Sequence, residues 1–300
     1  MKLETQLRYE HFCISHRKSI AQILALIHRN SLYIPCLEVP ITTYCSLRCR
    51  NCANLIQYYE RPYHVDCDVI IKSVQAICYA VERVDCLRIL GGEPFLYPEL
   101  DKILYEINNM QKVANIVIVT NGTMMLPERV ARVIGANKKF KVSISEYCCV
   151  ETERLSQQLD NYDVYYEIRN IPWKEKASVL YRNYSEKELA YYFKNCPNRF
   201  FSLLNGQLHL CPRSAHGNDL GFFRSEPTDF INVLQIPHDE IRTELRRFLR
   251  VPRIVACNYC DEPLAQCLKT VVAGEQVGKD EMMKKRRKMM EYNHARRGGL

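Results

Sequence analysis

The chain has 300 residues, 47% of them hydrophobic and 25% charged, which excludes disorder, collagen and coiled coil as the main account and allows two domains, or one barrel with an appendage. Residues 1–10 are charged with no apolar leader, and no run of about 18 apolar residues occurs, so a cytoplasmic protein without a membrane partner is expected. Of the net charge of +8, five units belong to residues 279–300, leaving a nearly neutral body; that basic tail reads as a solvated helix end, and a nucleic-acid partner is not expected.

In chain order, Ile20, Ile23, Leu24 and Ile27 recur at helical spacing, giving a helical segment within residues 1–35 that Pro35 ends before a first strand over 36–43. A helix over 66–83 places Ile70, Val74, Ile77 and Val81 on one face, with Asp66 as its N-cap. A strand over 86–90, a helix over 98–110, a β-branched strand over 116–120 and a helix from Pro127 to Gly135 follow. The strand 140–145, a helix over 151–161 and the strand 163–169 complete residues 36–171. Five strands alternating with helices predict an α/β fold with a parallel sheet, whose ligand site lies outside the strand C-termini. Past residue 171 the pattern changes: Asn205-Gly206 between residues 199–204 and 207–210 signals a hairpin, and a helix covers 238–250. A second, β-containing unit over 172–278 is therefore expected, followed by the basic tail, 279–300.

Fifteen cysteines are hard to read as disulfides in a reducing compartment, so metal or Fe–S ligation leads. Cys45, Cys49 and Cys52 place three thiols within eight residues, directly after the first strand. Neither a four-ligand zinc site nor the ferredoxin spacing fits; three thiolates can hold three irons of a 4Fe-4S cluster and leave the fourth open. The strand at 86–90 runs into Gly91-Gly92-Glu93-Pro94, two glycines where backbone must approach closely, then a carboxylate and a strand-stopping proline.

Together these residues resemble the radical S-adenosylmethionine (radical SAM) superfamily, with its three-cysteine CxxxCxxC loop after the first strand and GGE(P) motif after the second. The resemblance implies a partial (βα) barrel of five to six parallel strands. It also implies that S-adenosylmethionine (SAM) chelates the open iron, that Gly91, Gly92 and Glu93 receive its amine, and that an electron donor such as flavodoxin or ferredoxin drives its cleavage. Thr120-Asn121 closes the third strand as in many relatives, and Ser143 and Ser145 occupy the fourth, where the family uses polar side chains on SAM. Ser145 stands where relatives often have Asp, and Asn51 where they usually have an aromatic residue. Arg169 is a candidate carboxylate or substrate contact.

A second set comprises Cys196, Cys211, Cys257 and Cys260, with Cys267 beyond. Four cysteines make a closed site, 4Fe-4S or zinc. Their spacing resembles the SPASM extension, or its shortened form, Twitch, which implies one auxiliary 4Fe-4S cluster with Cys267 as a packed thiol. Arg213 and His216, just after Cys211, are candidates for an anion contact or a base, leading from that cluster toward the active site. Cys13, Cys36, Cys67, Cys78 and Cys86 read as core, whereas the adjacent pair Cys148-Cys149 is a candidate hydrogen donor.

The resemblance thus implies a SAM-cleaving oxidoreductase or epimerase acting on a small polar substrate such as a sugar, cyclitol or nucleotide-linked sugar; an aminocyclitol dehydrogenase and carbohydrate epimerases share the shortened architecture. Peptide maturation and a non-catalytic, metal-stabilised nucleic-acid-binding module are the alternatives.

Overall fold

The computed structural model describes residues 31–198 and 200–297; the helix expected over 19–28 and Cys13 lie outside these. The described chain opens with β1 (Tyr33–Ile34) and β2 (Leu37–Thr42). Asp66 caps α1 (Cys67–Ala80), accepting from the amides of Asp68 (2.9 Å) and Val69 (3.0 Å). The helix stops short of residue 83 because the chain turns extended at Val81 and uses β3 (Arg83–Val84) to pair with β1. Next come β4 (Leu87–Gly91), α2 (Leu100–Asn108), β5 (Ile116–Thr120), α3 (Glu128–Gly135), β6 (Phe140–Ser145), α4 (Glu153–Asn161) and β7 (Tyr166–Arg169). Pro127 sits at the cap of α3 rather than inside it, and β7 begins later than expected because Asp163 turns with a φ of 52°.

Strands β2, β4, β5, β6 and β7 lie side by side in sequence order, all parallel, which is the expected α/β partial barrel. One face is apolar: Leu37, Val39 and Ile41, Leu87 and Ile89, Ile116 and Ile118, and Val142 and Ile144 are buried in one core with Val74, Ile77, Ile103, Leu104 and Val130 of the helices. Each such side chain contributes about 1.5–3 kcal/mol by burial. The other face carries the polar residues, which alternate onto it among Leu90, Val117 and Val119: Glu38 and Arg88 are register partners, as are Ser143 with Glu167 and Ser145 with Arg169.

The remaining elements are β8 (Trp173–Lys174), α5 (Glu186–Asn195), β9 (Phe201–Leu204), β10 (Gln207–His209), α6 (Pro212–Asp219), β11 (Phe230–Asn232), α7 (His238–Phe248), β12 (Thr270–Val271) and α8 (Lys279–Arg297). The hairpin turns at Asn205 (φ 50°) and Gly206 (φ 79°), the left-handed pair that a two-residue turn requires. Its first strand, β9, pairs in parallel with β2, so β9, β10 and β11 extend the barrel sheet to eight strands. The boundary expected at residue 172 is therefore no break in the sheet. Nor is the tail a solvated helix end: Met282, Met289 and Asn293 of α8 are buried, and the Asn293 amide donates to Val179 O (2.8 Å) and Phe222 O (3.3 Å). Among the described residues, no helix is long and apolar enough to cross a membrane.

Candidate active site

The loop carrying the first three cysteines is fixed at its root before the thiols begin. Thr43 and Tyr63 exchange bonds through Thr43 N–H to Tyr63 O (2.9 Å) and Tyr63 N–H to Thr43 Oγ1 (2.7 Å). Gly92 N–H then donates to Thr42 O (2.7 Å) and Glu93 N–H to Tyr44 O (2.8 Å), tying the end of β4 to the loop. A Cβ on Gly92 would stand 1.8 Å from Tyr44 O, and one on Gly91 2.2 Å from Thr42 O. The two glycines serve this backbone contact as well as the cavity they border.

Each of the three sulfurs faces N–H donors. Cys45 Sγ accepts from Leu47 N–H (3.4 Å) and the Asn121 amide (3.5 Å), and Cys49 Sγ from the Gln276 amide (3.4 Å). The Cys52 sulfur has the backbone amides of Asn54, Leu55 and Ile56 close by, which favour its charged form. Burial pushes the Cys45 and Cys49 thiols up to about 12 and raises Cys52 as well, with mutual repulsion of the thiolates adding for Cys45 and Cys49. Such thiols stay protonated in the metal-free chain, and a bound metal takes the place of their protons, which pass to solvent. Among the described residues, no three His, Cys, Asp or Glu side chains converge as a single-ion site. Three soft donors on one loop, all bordering one cavity and met by N–H groups, fit a 4Fe-4S cluster.

That cavity, of about 290 Å³, is bordered by all three cysteines, Gly91, Gly92, Thr120, Asn121 and Ser145. A smaller one beside it, of about 80 Å³, takes Ser143, Ser145 and Arg169. Glu93 and Pro94 do not border either. The Glu93 carboxylate is fully buried and accepts from Asn121 N–H (2.8 Å), Phe95 N–H (3.1 Å) and Thr120 Oγ1 (2.9 Å), so it joins the ends of β4 and β5 instead of facing the cavity. Ser143 Oγ donates to Glu167 Oε1 (2.9 Å), which also lies 3.4 Å from Arg169 Nε.

The four expected catalytic residues fare differently. Cys148 and Cys149 are exposed; Cys148 borders a neighbouring surface cavity, and Cys149 lies within electrostatic range of Cys49. Arg213 and His216 belong to the core, because α6 turns them inward. The Arg213 guanidinium donates to Ser178 O (2.6 Å), Tyr259 O (3.4 Å) and Lys176 O. His216 Nδ1 lies 3.0 Å from Tyr59 Oη, and burial pushes its imidazole down to about 3, leaving it neutral. Neither residue lines the cavities described, so they offer no base there.

Cys211 and Cys257 each feel the charge of Cys196 and Cys260, which places the second cysteine set in one neighbourhood. Cys196 ends α5, Cys211 caps α6, and Cys257 and Cys260 lie on and just after the 3-10 turn Val255–Tyr259. Burial raises the Cys211 thiol to about 12. Cys267, expected as a packed thiol, is exposed; of the cysteines expected in the core, Cys36, Cys67 and Cys78 are buried and Cys86 is half-buried.

Sequence reasoning missed Glu38, Arg88, Tyr147 and Trp173 on the cavity wall and Gln276 against the Cys49 sulfur. Arg88 within an otherwise apolar strand was a signal for a polar inner face; for Gln276, more than two hundred residues from the loop, there was none.

Residues 39–148, from β2 through β6 and both motifs, match the family profile described as Radical SAM superfamily. This segment is a radical SAM domain. Over 122 residues the chain is 31% identical to GTP 3',8-cyclase of Clostridium acetobutylicum, covering 40% of this chain and 37% of that protein. Over 103 residues it is 34% identical to an S-adenosylmethionine-dependent nucleotide dehydratase of Thermoplasmatales archaeon ISO4-H5, covering 33% and 34%. The radical SAM match thus spans little more than a third of either curated relative. Among solved structures, native anSMEcpe with bound AdoMet and Cp18Cys peptide aligns over 88% of this chain and 98% of its own, at 14% identity and a TM-score of 0.48.

Proposed function

We propose that the chain is a radical SAM enzyme that takes a hydrogen atom from a small, charged polar substrate, with a nucleotide the favoured class within the range of sugars, cyclitols and nucleotide-linked sugars. The observation that carries the reading is the convergence of Cys45, Cys49, Cys52, Gly91 and Gly92 on one cavity at the C-terminal edge of a parallel sheet. When bound, a 4Fe-4S cluster and SAM supply an electron and, from it, methionine and a 5′-deoxyadenosyl radical able to abstract hydrogen. Cys45, Cys49 and Cys52 would hold three irons, and Gly91 and Gly92 leave backbone at the rim for the methionyl end of SAM.

The substrate class is supported by the inner face of the sheet. Arg88, held 2.9 Å from Glu38, and Arg169, beside Glu167, present guanidinium groups to the cavities, and Tyr147 meets Trp173 edge-on at 5.4 Å on the same wall. Guanidinium groups suit a phosphate or carboxylate, and an aromatic wall suits a base. Two relatives named for nucleotide chemistry draw the choice the same way. Dehydrogenation and epimerisation remain the proposed outcomes, with Cys196, Cys211, Cys257 and Cys260 as ligands of an auxiliary 4Fe-4S cluster that accepts the second electron in the former, and a flavodoxin or ferredoxin as donor.

Anaerobic iron and sulfide quantification, with a dithionite-driven assay for 5′-deoxyadenosine, tests this. Roughly eight irons per chain should fall to about four in a Cys45/Cys49/Cys52→Ala variant, with SAM cleavage lost. Nucleoside phosphates should stimulate 5′-deoxyadenosine release above free sugars and peptides. A wild-type chain without iron or SAM cleavage overturns the reading, and stimulation by sugars alone overturns the nucleotide class.

A further inference from the structure

After β12 the chain crosses back to the cysteine loop before α8 begins, and there it forms a small antiparallel bridge with that loop. Arg50 N–H donates to Glu275 O (2.8 Å) and Val277 N–H to Arg48 O (3.0 Å), with Cys49 opposite Gln276. The Gln276 side chain lies inside this bridge. Its Oε1 accepts from Arg48 N–H (2.7 Å), while its Nε2 donates to Gly274 O (2.6 Å) and approaches Cys49 Sγ at 3.4 Å. These partners fix the amide's orientation: an oxygen must meet the Arg48 N–H and a nitrogen the Gly274 carbonyl, so the second N–H is directed at the sulfur. The Arg50 guanidinium braces the bridge from outside, 2.9 Å from Glu275 Oε1 and paired with Glu281 of α8.

We propose that residues 274–277 are a clasp on the cysteine loop and that Gln276 is a positioning residue for Cys49, donating a hydrogen bond to its sulfur that raises the reduction potential of the cluster held there. The inference rests on the reading that Cys45, Cys49 and Cys52 bind that cluster. A donor aimed at a ligand sulfur stabilises negative charge on it and so favours the reduced, more negative state. Gln276 faces solvent on its outer side, which keeps the effect modest. Two functions are separable in its one amide: the oxygen closes the clasp and the nitrogen addresses the sulfur.

The test compares the reconstituted wild type with Gln276→Leu and Gln276→Glu, following by EPR-monitored redox titration the cluster signal that is absent from the Cys45/Cys49/Cys52→Ala variant. Both substitutions remove the donor. Each should lower the reduced-to-oxidised ratio at a fixed potential about threefold, near 30 mV for a one-electron couple. Hydrogen exchange of residues 46–52 in the metal-free protein supplies the second readout. There Gln276→Leu should exchange at least several-fold faster than wild type, whereas Gln276→Glu, which keeps the acceptor for Arg48, should stay close to it. An unmoved midpoint in both variants at wild-type iron content overturns the role of Gln276, and unchanged exchange in Gln276→Leu overturns the clasp. A wild type that binds no more iron than the triple variant instead overturns the reading of the loop itself.

Discussion

Glu93 has its carboxylate sealed between the ends of β4 and β5, and two opposed effects act on it. Three donors favour the charged form, while complete burial favours the neutral one. Burial dominates, pushing the group up to about 7. The folded chain therefore keeps a proton that the unfolded chain surrenders from about 4.5 upward, and folding stability must fall as pH rises from there through about 7. The shift corresponds to a loss on the order of 3 kcal/mol. Glu93→Gln cannot titrate, and its amide leaves the Asn121 N–H without a good acceptor, so at pH 5 it should be the less stable protein by about 1–3 kcal/mol. Urea unfolding at pH 5 and at pH 8 should show that gap narrowing as pH rises. A gap independent of pH would mean that Glu93 is ionised throughout and that its three donors outweigh its burial.

At the scale of elements, α5 joins local sequence to the second cysteine set. Ser185 accepts from Glu188 N–H (3.4 Å) and Glu188 Oε2 returns to Ser185 N–H (2.8 Å), a complete capping box at one end, with Cys196 at the other. Ser185→Ala should cost about 1 kcal/mol, read as a lowered urea midpoint at unchanged slope, and loosen Cys196. An unchanged midpoint would show that packing of Leu189 and Phe193 alone holds the helix. The Ser-x-x-Glu pattern was legible in the sequence, yet surrounding tyrosines and charges obscured it. The five parallel strands were legible for the converse reason: Ile116–Thr120 is a β-branched run and its neighbours are short stretches with buried apolar residues between amphipathic helices, so local pattern and tertiary burial agree. Two-residue strands such as β1 and β3 have no such signature, because their pairing depends on chain about fifty residues away. Asn205-Gly206 likewise announced its turn but not the edge that β9 would join.

Considered whole, the molecule holds its two cysteine groups on different supports along one sheet. The first hangs from β2 and β4 and is clasped by residues 274–277; the second hangs from α5, α6 and the turn at Val255–Tyr259. Between them lies the pairing of β9 with β2, whose neighbours Leu37, Leu203 and Leu204 are buried apolar side chains rather than thiols. The sequence spacing suggests each group by itself, but that they sit on different supports is visible only in the sheet. If apolar packing carries that junction, removing the second group should not unmake the first. If the second group holds the proposed auxiliary cluster, a Cys196/Cys211/Cys257/Cys260→Ala variant should therefore keep about half of the iron. It should retain the EPR signal that the Cys45/Cys49/Cys52→Ala variant lacks and still cleave SAM, while losing any step that needs a second electron acceptor. Loss of both signals together would show instead that metal at the second group holds α6 and the β9–β10 hairpin against the barrel, and that the sheet alone is not enough to shape the first site.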